Sequence, residues 1–267
     1  MAPIVALLSD FGLHDHYVGA MKGALLAACA GAQIVDVTHD LPAHDVRGGA
    51  LALASVHRAF PGGTVFLAVV DPGVGGPRRG LAAAAGGYHF VAPDNGLLSL
   101  VLADHETAEV RALTNAGLFR YEVSSVFHGR DVFAPVAGHL ARGGRLEDVG
   151  PRVTDAVTLH WPAPRIAGRT CDAEVLHVDR FGNLTTSVRR SDLLALGDDW
   201  SDVQVQIAGV RLPLARTYAD VAVGEACALI GSSDRLEIAV NQGHAARELP
   251  AAVGDPVRVL APGTEAG

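Results

Sequence analysis

Thr64-Val65-Phe66-Leu67-Ala68-Val69-Val70-Asp71-Pro72-Gly73 is the stretch on which the fold turns. An unbroken β-branched and apolar run stops at an aspartate and a Pro-Gly pair. A strand buried on both faces and running into a polar turn has this pattern. Upstream, Pro3 to Leu8 is a second such run, and it ends in Ser9-Asp10-Phe11-Gly12. Between the two, Tyr17 to Ala30 has helical periodicity and is rich in Ala and Leu. Gln33 to Val37 reads as a strand, and Asp45 is a natural N-cap for a helix from Val46 to about His57. Strand, helix, strand, helix, strand predicts an α/β domain with a largely parallel sheet.

Downstream, Leu81 to Ala85 and Tyr88 to Val91 read as short strands, and Asn95-Gly96 as a turn opening a short helix through Val101. Asp131 or a neighbour is expected to cap a helix from Val132 to about Ala141. The composition changes at Trp161-Pro162-Ala163-Pro164, where two prolines disfavour helix and suit a linker. Beyond it lie short strands: Ala173 to Val178, Leu184 to Val188, Val203 to Ile207, Glu225 to Ile230, Leu236 to Ala239 and Pro256 to Leu260. A brief helix near Gly243 to Glu248 interrupts them. The expected architecture is an N-terminal α/β domain, residues 1–160, with a mostly parallel central sheet. A smaller C-terminal β-rich domain, antiparallel and barrel-like, follows over residues 168–267.

The 267 residues include 49% hydrophobic and 19% charged side chains, the composition of a folded globular chain. The net charge of −8 argues against wholesale phosphate-backbone binding, which needs clustered Lys and Arg. Arg189 and Arg190 read as a solvated loop pair. The three cysteines, Cys29, Cys171 and Cys227, are widely spaced without a CxxC, so neither a disulfide framework nor a zinc knuckle is expected. The natural setting is a reducing cytoplasm. The N-terminus lacks the basic flank of a signal peptide, and no apolar run is long enough to cross a bilayer.

In α/β sheets, ligands bind beyond the carboxyl ends of the strands. Asp10 and Asp71 stand at two such ends, each followed by a glycine. Taken singly, either is as well explained as a turn former. The Asp71 loop, DPGVGGPRR, has glycines that let backbone approach a ligand closely. It is no P-loop, and no GxGxxG opens the first helix, which disfavours nucleoside triphosphates and NAD. Arg78 is seven residues beyond Asp71, near enough for the loop to pair them; a solvated Arg78-Arg79 pair is the bland alternative. His128 sits beside Gly129 in a loop before a helix, one of twelve histidines. His14, His16, His39 and His44 contain no tight metal-ligand pair, and surface and loop positions account for them. Asp179-Arg180-Phe181-Gly182-Asn183 reads as a hairpin turn or as the polar edge of a pocket, with Phe181 supplying a ring face and Asn183 both a donor and an acceptor. Ser232-Ser233-Asp234 is by itself a turn.

Several motifs nevertheless occur together and in order: SDFGLHDHYVGAMKG from Ser9, IVDVTHDLPAHDV from Ile34, VVDPGVGGPRR from Val69, APDNGLL from Ala92, FHGRDVFAPVAGHLA from Phe127, DRFGNLTTS from Asp179 and GSSDRLEIAVNQG from Gly231. As a set they resemble the S-adenosylmethionine hydrolases that form adenosine, also called SAM hydroxide adenosyltransferases, which are relatives of the fluorinases and chlorinases. The likeness covers nearly the whole chain. It implies hydrolysis of S-adenosyl-L-methionine to adenosine and L-methionine, with no cofactor and no metal. It also implies a homotrimer whose substrate lies between the N-terminal domain of one subunit and the C-terminal domain of the next.

By the same resemblance, Asp71, Arg78 and His128 match the hydrolytic triad. Asp10 is expected to hold the ribose hydroxyls, Asp15 to lie near the methionine end, and Asp179 to meet the methionine ammonium. Asn183 and Phe181 are expected at the adenine, Ser232 at the methionine end, and Glu237 with the Val240 backbone at further adenine contacts. Gly129 stands where a fluorinase has its halide-binding serine, His44 where halogenases carry an aromatic ring, and Ser233 where they carry an arginine for the methionine carboxylate. The expected alternatives are a chloride-using halogenase and a non-catalytic adenosine or S-adenosylmethionine sensor. A methyltransferase is disfavoured by the missing glycine-rich turn after the first strand.

Overall fold

The computed structural model describes residues 2–197, 200 and 202–262. The last five residues of the expected C-terminal domain lie outside this range. The chain divides into two units, Met1–Leu159 and His160–Gly267.

The first unit runs through β1 (Ile4–Ser9), α1 (Tyr17–Ala28), β2 (Gln33–Thr38), α2 (Val46–Val56), β3 (Val65–Val69), β4 (Gly80–Ala85), β5 (Tyr88–Pro93), α3 (Ser99–Ala103), β6 (Glu109–Ala112) and α4 (Ala134–Ala141). Among the described residues, its six strands lie in the order β2-β1-β3-β5-β4-β6. The first four are mutually parallel, while β4 runs antiparallel to both β5 and β6. This is the expected mostly parallel sheet. Every residue of β3 is buried, as its unbroken apolar run demands. Asp45 caps α2, its carboxylate accepting the Gly48 amide at 2.8 Å.

The strand order carries the functional consequence. The crossover through α1 leads from β1 outward to β2, and the crossover through α2 leads back past β1 to β3. The direction of winding therefore reverses between β1 and β3. Their pairing ends at Ser9 opposite Val69, so the loops carrying Asp10 and Asp71 leave the same sheet edge side by side. Such a switch point opens a crevice at the carboxyl ends of the strands.

Two expectations need correction here. α4 begins at Ala134, not Val132. A π-helical turn over Gly129–Phe133 precedes it, with Asp131 inside the turn and not at a cap. The Asp131 side chain is 0% exposed and accepts from the Ser124 amide (2.9 Å) and from Arg130 Nε (2.7 Å). A buried carboxylate so paired serves the loop before it, and π-turns concentrate where a helix start is reshaped for function. Second, Arg190 opens a helix: its Nε donates to Asp234 at 2.7 Å.

The second unit runs through β7 (Arg165–Ala167), β8 (Thr170–Val178), β9 (Leu184–Arg189), α5 (Arg190–Leu196), β10 (Gln204–Ile207), β11 (Val210–Pro213), β12 (Ala226–Ile230), β13 (Arg235–Val240), α6 (Ala245–Glu248) and β14 (Pro256–Leu260). The order is β11-β10-β14-β8-β9-β13-β12, with β7 against β8 and every pairing antiparallel. A bridge between Leu214 and Ala228 joins the two outer strands and brings the sheet close to a barrel, which removes exposed edges. Inward side chains such as Val175, Leu184, Val188, Val205 and Ile238 fill it. The pairings of β8 with β9 and of β9 with β13 both shift register, the latter between Arg235 and Glu237. Bulges of this kind re-aim side chains near sites. β6, β7, β11 and α5 were not legible in the sequence, being short or only weakly patterned.

Candidate active site

Asp71 follows β3 at the switch point, and the loop after it turns back. Arg78 Nε donates to Asp71 Oδ1 at 2.8 Å, and Arg78 Nη2 donates to Oδ2. The same Nη2 lies 2.9 Å from His128 Nδ1, fifty positions away in sequence. The Asp71 and Arg78 side chains are 5% and 11% exposed. The guanidinium carbon sits 5.3 Å from the centre of the Phe133 ring, a cation–π contact that helps hold the fork in place.

The glycines of this loop do something the sequence did not suggest. Gly75 has φ +77°, and a Cβ there would stand 2.3 Å from the Ser125 carbonyl oxygen. The close approach that Gly75 permits is to the loop that carries His128. Gly75 clamps the Asp71 loop against the Ser124–His128 segment, and Asp131 holds that segment from below through the Ser124 amide.

Phe11, Tyr17, Val69, Asp71, Val74, Phe127, His128 and Gly129 line a cleft of about 450 Å³. Phe11, Tyr17 and Phe127 pack edge to face with centroids 5.5 to 6.1 Å apart. The walls are mostly apolar, with Asp71, His128, Ser124 and Arg130 as their polar groups, and Arg78, not itself in the lining, links Asp71 to His128. Tyr17 and Phe127 lie inside the quoted motifs but were given no site role from the sequence.

His128 has its pKa lowered, first by burial and then by the Arg78 charge; Asp71 and Asp131 pull the other way. Geometry fixes its tautomer. A guanidinium only donates, so Nδ1 must present its lone pair, and the ring proton of the neutral imidazole sits on Nε2.

Asp10 lies at the adjoining strand end, where its Oδ2 accepts the His44 amide at 2.8 Å. Asp15 is on the exposed loop before α1, 3.7 Å from His14. Of the four histidines expected at surface and loop positions, His39 is instead buried and committed to Ser9 and Asp36.

The other predicted residues belong to the second unit. Asp179 Oδ1 accepts the amides of Phe181 (2.9 Å) and Asn183 (2.8 Å), and Oδ2 accepts Asn183 Nδ2 at 3.2 Å. The turn is thus self-braced and presents Phe181, 73% exposed, outward. Tyr218, absent from the sequence-based set because nothing around it is patterned, donates its hydroxyl to Glu237 Oε1 at 2.6 Å. Glu237 has a raised pKa: burial dominates, nearby Asp179 adds to it, and the Tyr218 bond opposes. Burial, with the Glu237 bond behind it, also pushes the Tyr218 phenol up. Ser232 is exposed in the turn after β12, and Val240 ends β13, opposite Ala226.

Known proteins are similar to this chain over nearly its whole length. Residues 5–150 match the SAM hydroxide adenosyltransferase N-terminal domain, and residues 173–258 match the corresponding C-terminal domain. An (R)-S-adenosyl-L-methionine hydrolase of Thermus thermophilus is 40% identical over 96% of this chain and 99% of its own length. A fluorinase of Actinoplanes sp. is 31% identical over 90% of this chain and 91% of its own. A crystal structure of an uncharacterized conserved protein from Thermotoga maritima superposes with a TM-score of 0.90 at 37% identity, covering 96% of this chain and 99% of that one. With both domain models matched in order and the relatives aligned nearly end to end, the chain belongs to the SAM hydroxide adenosyltransferase family.

Proposed function

We propose that this protein hydrolyses S-adenosyl-L-methionine to adenosine and L-methionine by in-line attack of water on the ribose C5′ carbon. The observation that carries the reading is the Arg78 guanidinium bridging the Asp71 carboxylate and His128 Nδ1 beside an apolar cleft.

The sulfonium already makes sulfur a neutral leaving group, so the difficulty is the nucleophile. Free water is a very weak acid, and hydroxide is scarce at neutral pH. In this arrangement Arg78 and the His128 Nε2–H donate toward the water oxygen and stabilise developing negative charge. His128 cannot relay a proton onward, because its Nδ1 faces a guanidinium that has no lone pair to accept one. Asp71 is the acceptor left in the trio, and it lines the cleft. As the C–O bond forms, the C–S electron pair passes to sulfur and the water proton goes to Asp71. Holding water in line contributes through proximity, and apolar walls favour a step in which opposite charges cancel.

On the substrate side, Asp10 takes the ribose hydroxyls, and Asp15 lies toward the methionine end. Asp179 is a carboxylate suited to the methionine ammonium. Phe181 and Asn183 take the adenine ring and edge, Glu237 and the Val240 backbone add adenine contacts, and Ser232 contacts the methionine end. A homotrimer, with each site shared between the N-terminal unit of one subunit and the C-terminal unit of the next, would unite the two groups of residues; light scattering after gel filtration tests for three chains per particle. The three buried, free thiols suit a reducing cytoplasm.

Incubation with S-adenosylmethionine in oxygen-18 water tests the reaction. The expected products are methionine and adenosine labelled at the 5′-hydroxyl. A 5′-halo-5′-deoxyadenosine formed on adding chloride would make the protein a halogenase. Tight adenosine binding without turnover would make it a sensor.

A further inference from the structure

Beside the triad, a second polar chain starts buried under the β1–α1 turn and reaches the surface at Asp36 and Lys22. Ser9, 0% exposed, places its Oγ 2.7 Å from Nδ1 of His39, itself 3% exposed. His39 Nε2 is 3.1 Å from Asp36 Oδ1, and Asp36 Oδ2 accepts Lys22 Nζ at 2.7 Å. These are the residue types of a nucleophilic triad, but a serine at zero exposure in a packed strand end reaches no substrate. The directions of the bonds indicate another task. A carboxylate only accepts, so Nε2 carries a proton toward Asp36. In the neutral tautomer so fixed, Nδ1 accepts the Ser9 hydroxyl proton. That orients a Ser9 lone pair to the Phe11 amide, 3.4 Å away.

His39 grips the same turn a second time through its backbone: its carbonyl accepts the Gly12 amide at 2.7 Å. Ser9 and Gly12 are therefore both tied to His39, and Asp10 and Phe11 are the two residues between them. A third tie is the His44 amide on Asp10 Oδ2. Asp36 on β2, itself held by Lys22 on α1, anchors the His39 ring.

We propose that His39 is a positioning residue of this site, holding the Ser9–Gly12 turn so that the Asp10 carboxylate meets the vicinal hydroxyls of the adenosyl ribose. The inference rests on the ribose role given to Asp10 above. A carboxylate bonded to two adjacent hydroxyls is sensitive to small displacements, and an orienting partner that is removed acts through geometry without touching the ligand.

The test compares adenosine with 2′,3′-dideoxyadenosine by calorimetric binding to the full-length protein and to four variants: Asp10→Asn, His39→Ala, His39→Asn and Ser9→Ala. Asp10→Asn reports on the ribose contact itself. The expected result is that His39→Ala and Ser9→Ala weaken adenosine by about tenfold while leaving the dideoxy compound unchanged, a coupling of ordinary size for neighbouring groups. His39→Asn, whose side-chain amide still reaches Ser9, recovers part of the loss. If His39→Ala does not fold, Ser9→Ala carries the comparison. Equal weakening of both ligands, or no weakening of either, in the His39 and Ser9 variants while Asp10→Asn abolishes the discrimination overturns the positioning role and leaves the ribose role standing. Unchanged discrimination in Asp10→Asn overturns both.

Discussion

Arg78 Nη2 stands 2.9 Å from His128 Nδ1, and this contact settles which nitrogen of the imidazole can act. The free face of the ring is Nε2–H, a donor. With burial and the Arg78 charge holding its pKa below the ordinary 6.5, His128 is neutral across the physiological range. Nitrogen-15 NMR should find the Nε2–H tautomer, and the acid limb of the rate profile should fall below pH 6.5. A ring protonated on Nδ1, or titrating above 6.5, would refute the assigned donor role.

Arg78→Lys should lower kcat by roughly a hundredfold or more, because a point charge cannot serve Asp71 and His128 with one planar fork. Arg78→Ala should in addition cost about 3 kcal/mol of stability, since it strands a buried carboxylate. Urea denaturation of both variants beside their kinetics checks this. A lysine variant with native turnover removes the guanidinium from the mechanism.

Gly75→Ala should disturb two loops at once. Its Cβ meets the Ser125 carbonyl and its φ of +77° is costly for alanine, together about 1–3 kcal/mol. Turnover should fall although the residue bears no functional group, and cross-peaks of His128 should shift. A variant with native stability and rate would show that the clamp between the loops is dispensable.

Asp131→Asn keeps the shape but removes the charge that Arg130 and the Ser124 amide use. A loss of about 2–3 kcal/mol is expected, the range for hydrogen bonds to a buried charge. Turnover should drop with it as the Ser124–His128 segment relaxes. Crystallography of the variant would reveal whether that segment moves.

Stability should depend on pH in two windows. His57 and His89 are depressed below 6.5, in both cases chiefly by burial. Between the folded value and 6.5 the unfolded chain binds more protons, so their stabilisation is complete above 6.5 and declines as pH falls below it. Asp36 and Asp131 lie below 3.8, since their basic partners outweigh burial. Their contribution is present above 3.8 and disappears as pH falls through the folded values. Urea midpoints measured from pH 8 to pH 3 should show both declines, and His57→Gln should flatten the upper one. A single decline confined to acid pH would contradict the histidine assignment.

The identity of β1 and β3 as strands was legible in the sequence because burial on both faces demands unbroken apolar runs, and a polar residue must end each run. That alone puts Asp10 and Asp71 at carboxyl ends of strands. Loop length made an Asp71–Arg78 pair reachable. The ordered motifs, not any periodicity, singled out His128 among the histidines. Tertiary structure decided the rest. The reversal of winding between β1 and β3 sets the two aspartates on one edge, and strand order is not written in local pattern. His128 meets Arg78 across fifty positions where Gly75 fits against Ser125, a contact between backbones that leaves no side-chain signature. The chain from Ser9 through His39 to Asp36 likewise has no local signature: packing buries Ser9 and His39 and so gives the two side chains each other as partners across thirty positions.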